Sequence, residues 1–208
     1  ILSTARQNLT LSIAFCDPGV RWFSVPRFSV AHPEVQLKDD LYEGGNAGEL
    51  LSERVYDLIV TPYRIQDTHI QSVPFLRDRV YLSIPENSDL AQRNAVSLRE
   101  IPAQALLYPQ IGYFLTQMEK IITEEHLPIT LVKNNYNVTQ YLIRTTNFLA
   151  TVSTLSMDLR NDGAHRTVLP LTDQGLQVRY YISCLKSNQE KVRVFLEWGR
   201  EYKNAAGQ

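Results

Sequence analysis

LTLSIAFCDPGVRWFSVPRFSVAHPEVQLKDDLYEGGNAGELLSERVYDLIVTP, Leu9 to Pro62, is the stretch that decides the fold. LTLSIAF is an apolar strand whose last residues open into CDPG, Cys16 to Gly19. A helix follows and closes at Pro33, because proline disfavours helix in the residue before it. Pro26 inside that helix predicts a kink or a late start. Val35 to Leu37 is extended, and Asn46 with Glu49 three residues on reads as a capping box for a short helix ending near Arg54. Tyr56 to Val60 closes the run as a third strand. Strands alternating with helices build a parallel sheet, whose ligand site lies beyond the carboxyl ends of the strands.

The pattern then repeats. Val80, Leu82 and Ile84 alternate with Tyr81 and Ser83, as an extended strand does. ALLYP ends at Pro109, and Gly112 to His126 is amphipathic with Phe114, Leu115, Met118, Ile121 and Ile122 on one face. Ile129 to Lys133 is a strand. Asn137 is the expected N-cap of a helix to Thr145 with Val138, Tyr141 and Leu142 facing inward. Leu149 to Val152 is a buried strand and Gly163 sits in a polar turn. Leu176 to Leu185 is a further strand, and Gln189 to Tyr202 is a terminal helix. The chain is expected as lobe I over residues 1–84, lobe II over 85–183, and a return to lobe I over 184–208, so that it crosses between lobes twice. A clamp of that kind holds a small molecule in its cleft.

Composition narrows the function. A formal charge of −1, from 21 basic and 22 acidic residues in 208, gives no footprint for nucleic acid or an anionic membrane surface. No apolar run approaches bilayer length. Cys16 and Cys184 are too few and too far apart for a disulfide scaffold, which favours a reducing, cytoplasmic setting. His32, His69, His126 and His165 are scattered, so neither a metal site nor a cofactor is expected. Cys16 lacks a nearby histidine and has Asp17 opposing its thiolate, which argues for a lining or buried thiol over a nucleophile. GGNAG lacks the lysine of a phosphate loop. No catalytic constellation is visible, and the chain is not expected to be an enzyme.

Polar groups at expected strand ends are the candidate ligand contacts: Cys16, Asp17 and Thr61 on the first lobe, and Gln110, Tyr113, Asn137, Thr151 and Ser153 on the second. Helix starts after residues 17, 110 and 137 offer free amides to an anionic or polar group. Each residue also has a plainer role: Asn137 as a cap, Thr61 as a strand end. Adjacent Trp22 and Phe23 cannot both face inward on a helix, so one is expected to be exposed or covered by a partner.

LTLSIAF, VPRFSVAHPEVQL, LYEGGNAGELLSERVYDLIV, LRDRVYLSIPENSDLA, LLYP, LPIT and VTQYLIRTTNFLATVS together resemble, in order and spacing, the effector-binding domain of LysR-type transcriptional regulators. The resemblance covers essentially the whole chain. It implies an α/β fold of two lobes like the periplasmic binding proteins, a small polar metabolite between them, and a head-to-tail homodimer. It also implies DNA binding only through a winged helix-turn-helix that would precede Ile1, with no membrane contact. The family's first contact loop falls on Cys16, Asp17, Pro18 and Gly19, its later contacts on Gln110 to Tyr113, Asn135 to Asn137 and Thr151 to Ser153, and Thr61 matches its polar residue after the third strand. Departures are the replacement of the usual serine or threonine by Cys16-Asp17-Pro18, and Thr146 and Phe148 where glycines are common. An ionised Asp17 facing the cleft would repel a carboxylate and favour an amine, a hydroxyl or a cation. The dimer is expected to set the first helix and Val35 to Leu37 against the Gly112 helix of a twofold-related copy. An extracytoplasmic solute-binding protein of similar fold is the alternative reading.

Overall fold

The computed structural model describes residues 9–109, 112–159 and 165–205. Its elements are β1 (Leu9–Phe15), α1 (Pro18–Ala31), β2 (Val35–Leu41), α2 (Ala47–Ser52), β3 (Leu58–Thr61), β4 (Ile70–Pro85), β5 (Gln104–Pro109), α3 (Tyr113–Glu124), β6 (Ile129–Asn134), α4 (Tyr136–Thr145), β7 (Leu149–Ser153), β8 (Arg166–Pro170), β9 (Gln177–Leu185) and α5 (Gln189–Ala205). By packing they form two compact units. One takes the chain up to Cys16, Phe23–Leu76 and Tyr180–Gln208; the other takes Asp17–Trp22 and Arg77–Arg179.

In the first unit β1 pairs in parallel with β2 and β3, and β3 pairs antiparallel with β9. Leu58, Ile59, Val60 and Thr61 are all buried, the continuous apolar run of a strand covered on both faces. Phe28, Phe75, Phe195 and Trp198 cluster with ring centroids 4.8–6.5 Å apart. Gly199 lets α5 sit close there, since a Cβ would lie 3.0 Å from Ile182 and 3.2 Å from Phe75. Pro18 takes the first position of α1, where its missing N–H costs nothing. The helix then runs unbroken through exposed Pro26, so the expected late start does not occur. Asn46 caps α2 as expected, its Oδ1 accepting from the Gly48 and Glu49 amides.

In the second unit β5 pairs in parallel with β6 and β7, while β4 runs antiparallel to β7 and β8. Leu82, Leu106, Met118 and Leu171, all fully buried, centre its core. The chain thus runs the same βαβαβ path twice, β1-α1-β2-α2-β3 and β5-α3-β6-α4-β7, with the first strand between the other two each time. Such a path has its topological switch point where the first and third strands meet, at their carboxyl ends. In the second unit that point lies at Tyr108 and Ser153. β8 was not anticipated, and the Gly163 turn lies outside the described residues.

Candidate functional site

Several segments of the second unit converge on this switch point. Asp17 has its carboxylate turned back along the chain: Oδ1 accepts from the Gly19 amide at 2.9 Å. Oδ2 accepts from the Phe114 amide at 3.3 Å, and the Tyr113 amide also donates to the carboxylate. These are the first amides of α3. Its N-cap residue, Gly112, has no side chain to satisfy them, so a residue 97 positions earlier does so. Gly112 is itself required: at φ 136° it adopts backbone that side chains avoid, and a Cβ would lie 2.6 Å from Asp17 Oδ2 and 2.7 Å from Pro18 Cδ. Residue 17 therefore fills the anion position at the start of α3 with the protein's own carboxylate.

A second carboxylate lies beside it. Asp78 on β4 accepts at Oδ1 from the Arg79 amide (2.9 Å) and the Leu155 amide (3.1 Å), while Oδ2 has no hydrogen-bond partner. A Cβ on Gly19 would meet Ser153 Oγ at 2.7 Å and both Asp17 Oδ1 and Asp78 Oδ2 at 3.3 Å, so the absent side chain lets the two acids approach. Both are buried. Burial pushes Asp17 up to about 6 against the pull of its amide donors. Burial, followed by the neighbouring Asp17 charge, pushes Asp78 up to about 7. The nearby Ser153 hydroxyl favours the Asp78 anion, although its hydrogen-bonded neighbour is Ser156, 3.2 Å away.

The cavity at this place measures about 30 Å³. Asp17, Gly19 and Trp22 line it from α1 and the turn before it, Tyr108 and Phe114 from β5 and α3, Thr139 and Gln140 from α4, and Thr151, Val152 and Ser153 from β7. Thr139 and Gln140 are buried, and neither the Thr139 hydroxyl nor either end of the Gln140 amide has a partner. Buried polar groups are ordinarily paired, so an entire amide left unpaired against a cavity points to a binding role. Expected Val138 and Tyr141 instead face out, 40% and 67% exposed. Leu142 packs inward as expected, against the cluster in which Ile143 anchors the helix on Leu107 and Ala150, but the helix is rotated so that Thr139 and Gln140 share its buried face.

Of the expected contacts, the structure gathers Asp17, Thr151 and Ser153 around this cavity. Pro18 is buried against Gly112, and half-buried Tyr113 contributes its amide. Asn137 is exposed; the cap of α4 is Asn135, whose Oδ1 accepts from the Val138 amide at 3.0 Å. Gln110 lies outside the described residues. Cys16 and Thr61 belong to the first unit, where both are buried; Cys16 donates its amide to Val60 and Thr61 its hydroxyl to Tyr63. Trp22 and Phe23 are both half-buried; Phe23 packs edge-on against Tyr202 with the Arg27 guanidinium over its ring. Sequence reasoning missed Asp78, Thr139 and Gln140. Among the described residues, no group of three or more metal-ligating side chains gathers anywhere.

Comparison with known proteins now adds a family. The model of the LysR substrate binding domain matches residues 10–204. Among solved structures, the BenM effector binding domain with its effector benzoate is 22% identical, with a TM-score of 0.68 over 95% of this chain and 93% of that one. The regulatory domain of MetR from N. meningitidis is 17% identical, TM-score 0.69, over 95% and 94%. Full-length CbnR complexed with its target DNA is 14% identical, TM-score 0.67, over 96% of this chain and 72% of that one. Identities this low speak for the fold alone, and it is the α/β periplasmic-binding-protein-like fold expected from the sequence. No curated protein matches the sequence.

Proposed function

The chain belongs to the LysR substrate binding domain family, whose members are transcriptional regulators and not enzymes, and from that premise we propose that it senses a small-molecule effector in the cavity of its second unit. The observation that carries this is the inward turn of α4, which sends Thr139 and Gln140 to a cavity with no partner for the Gln140 amide while Val138 and Tyr141 face out. Ile143 on this face serves packing, whereas burying Thr139 and Gln140 in place of Val138 and Tyr141 does not. BenM is described with benzoate as its effector, which supports effector binding as the family role; the benzoate itself is not carried over.

Effector occupancy controls DNA binding by a winged helix-turn-helix of the same regulator. In support, full-length CbnR is complexed with its target DNA, and this chain's net charge of −1 carries no overall excess of positive charge for phosphates. The working state is a homodimer in which α1 and β2 meet α3 of a second copy; Val30 on α1, 84% exposed, is an apolar side chain such a contact would cover. The setting is the cytoplasm, where a DNA regulator acts, and no described helix is long and apolar enough to cross a membrane.

A thermal-shift screen against small polar metabolites tests the sensor reading. A saturable rise in melting temperature that Gln140→Leu abolishes is the expected result. A saturable ligand indifferent to both Gln140→Leu and Ser153→Val would move the sensing site elsewhere.

A further inference from the structure

We propose that the group this cavity takes is a primary ammonium, held between buried carboxylates and an aromatic wall; the inference rests on reading the cavity as the effector site. The anion position at the start of α3 is already filled by Asp17, so a carboxylate ligand cannot dock on that terminus. Among the residues lining the cavity there is no lysine, arginine or histidine; Asp17 lines it, and the Asp78 carboxylate approaches the same glycine as Asp17. An anion brought there would meet like charge without a counter-ion.

The remaining groups suit a cation. Trp22, Tyr108 and Phe114 present aromatic surface, the element that recurs in ammonium recognition. Gln140 Oε1 and Thr139 Oγ1 are unpartnered acceptors facing the same space, and an ammonium brings three N–H donors. The cavity of about 30 Å³ admits a compact head group and little more. The rest of the effector would extend from it.

A pH signature separates this from the alternatives. The titratable groups facing the cavity are Asp17 from the turn before α1, Asp78 beside it on β4 and Tyr108 on β5; the lining residues of α3, α4 and β7 contribute none. The neighbouring Arg79 guanidinium does not line the cavity; its Nη2 donates to the Leu171 carbonyl while its buried Nε has no hydrogen-bond partner. With Asp17 pushed up to about 6 and Asp78 to about 7, a bound ammonium displaces protons from the pair. Cation affinity therefore rises with pH, and the affinity of a carboxylate falls.

The test compares n-butylamine with butyrate, matched in chain length and opposite in charge, followed by amide NMR of the full chain. Butylammonium is expected to shift the Gly19, Gln140 and Ser153 signals. Its affinity should grow about ten-fold between about pH 5.5 and 7.5 and fall about ten-fold in both Asp78→Asn and Gln140→Leu. Butyrate should leave those signals unmoved. No shift with butylammonium, tighter binding of butyrate at the same signals, or equal affinity in Asp78→Asn overturns the ammonium assignment. Of these, butyrate moving the cavity signals leaves the sensor reading standing. A saturable effector that moves none of them, with Gln140→Leu silent, removes both readings.

Discussion

Asp78→Asn should stabilise this protein at neutral and alkaline pH. Asp78 is 3% exposed, and its carboxylate shares its surroundings with that of Asp17. The folded state holds the Asp78 proton up to about 7, against 3.8 for the unfolded chain. An acid whose folded value is raised gives its full stability when protonated in both states and loses it as pH climbs from about 4 through the folded value. At about 1.36 kcal/mol per unit, the loss at pH 8 reaches about 4 kcal/mol, and relaxation around the charge brings the expected figure to about 2–4 kcal/mol. Asparagine keeps the geometry, because its Oδ1 can accept from the Arg79 and Leu155 amides as Asp78 Oδ1 does. Urea unfolding followed by tryptophan fluorescence, run on both proteins from pH 4 to 8, measures the difference directly. The two should be nearly equal at pH 4 and diverge steadily in the variant's favour. Between about pH 4 and 6 the folded state holds both protons that the unfolded chain has released, and the variant, holding one, should lose stability there about half as steeply as the wild type. A variant less stable at pH 8, or one with an unchanged slope, would show that the Asp78 charge is compensated.

Three further outcomes are expected. Gly112→Ala should cost more than about 2 kcal/mol in urea unfolding, since it adds left-handed strain to a clash with Asp17 and Pro18; a loss below 1 kcal/mol would mean the α3 start shifts easily. Thr139→Val should raise unliganded stability by about 1 kcal/mol by removing an unpartnered buried hydroxyl, while weakening the effector response; a loss of stability would reveal a partner for the hydroxyl. Lys191→Met should cost only about 0.5–1 kcal/mol after solvent screening, although its Nζ lies 2.6 and 2.7 Å from the two Asp57 oxygens. Burial raises Asp57, but donors on Lys191, Ser12 and Asn188 outweigh it and hold the carboxyl below its usual value. This contribution is present above about pH 4 and lost as pH falls through the folded value, so wild type and variant should converge in acid.

The strand–helix alternation was legible because it is local: β1, α2, α3, β6, β7 and α5 lie within a few residues of where periodicity puts them. Pro26 misled because an exposed mid-helix proline is tolerated when the rest of α1 packs well. At α4 two phases compete. Val138, Tyr141 and Leu142 make the more apolar stripe, yet of these only Leu142 packs inward, and the chain buries Ile143 with Thr139 and Gln140, a choice invisible without the cavity they face. Asp78 could have been found. The alternation that puts Val80 and Leu82 inside, carried back two residues, puts Asp78 inside as well. The pairing of Asp17 with α3 could not, because it joins residues 97 apart and leaves no local pattern.

That long-range cap also orders events on the ribosome. At about 5–20 residues per second, Asp17 emerges about 5–20 s before Phe114 and spends that interval in water as an ordinary ionised aspartate. The first turn of α3 is completed only when this early segment returns to it, and docking exchanges the water around the carboxylate for the Gly19, Tyr113 and Phe114 amides. A nascent chain stalled before residue 113 has no helix terminus to receive Asp17, so this part of the second unit matures late although its first residue is made early.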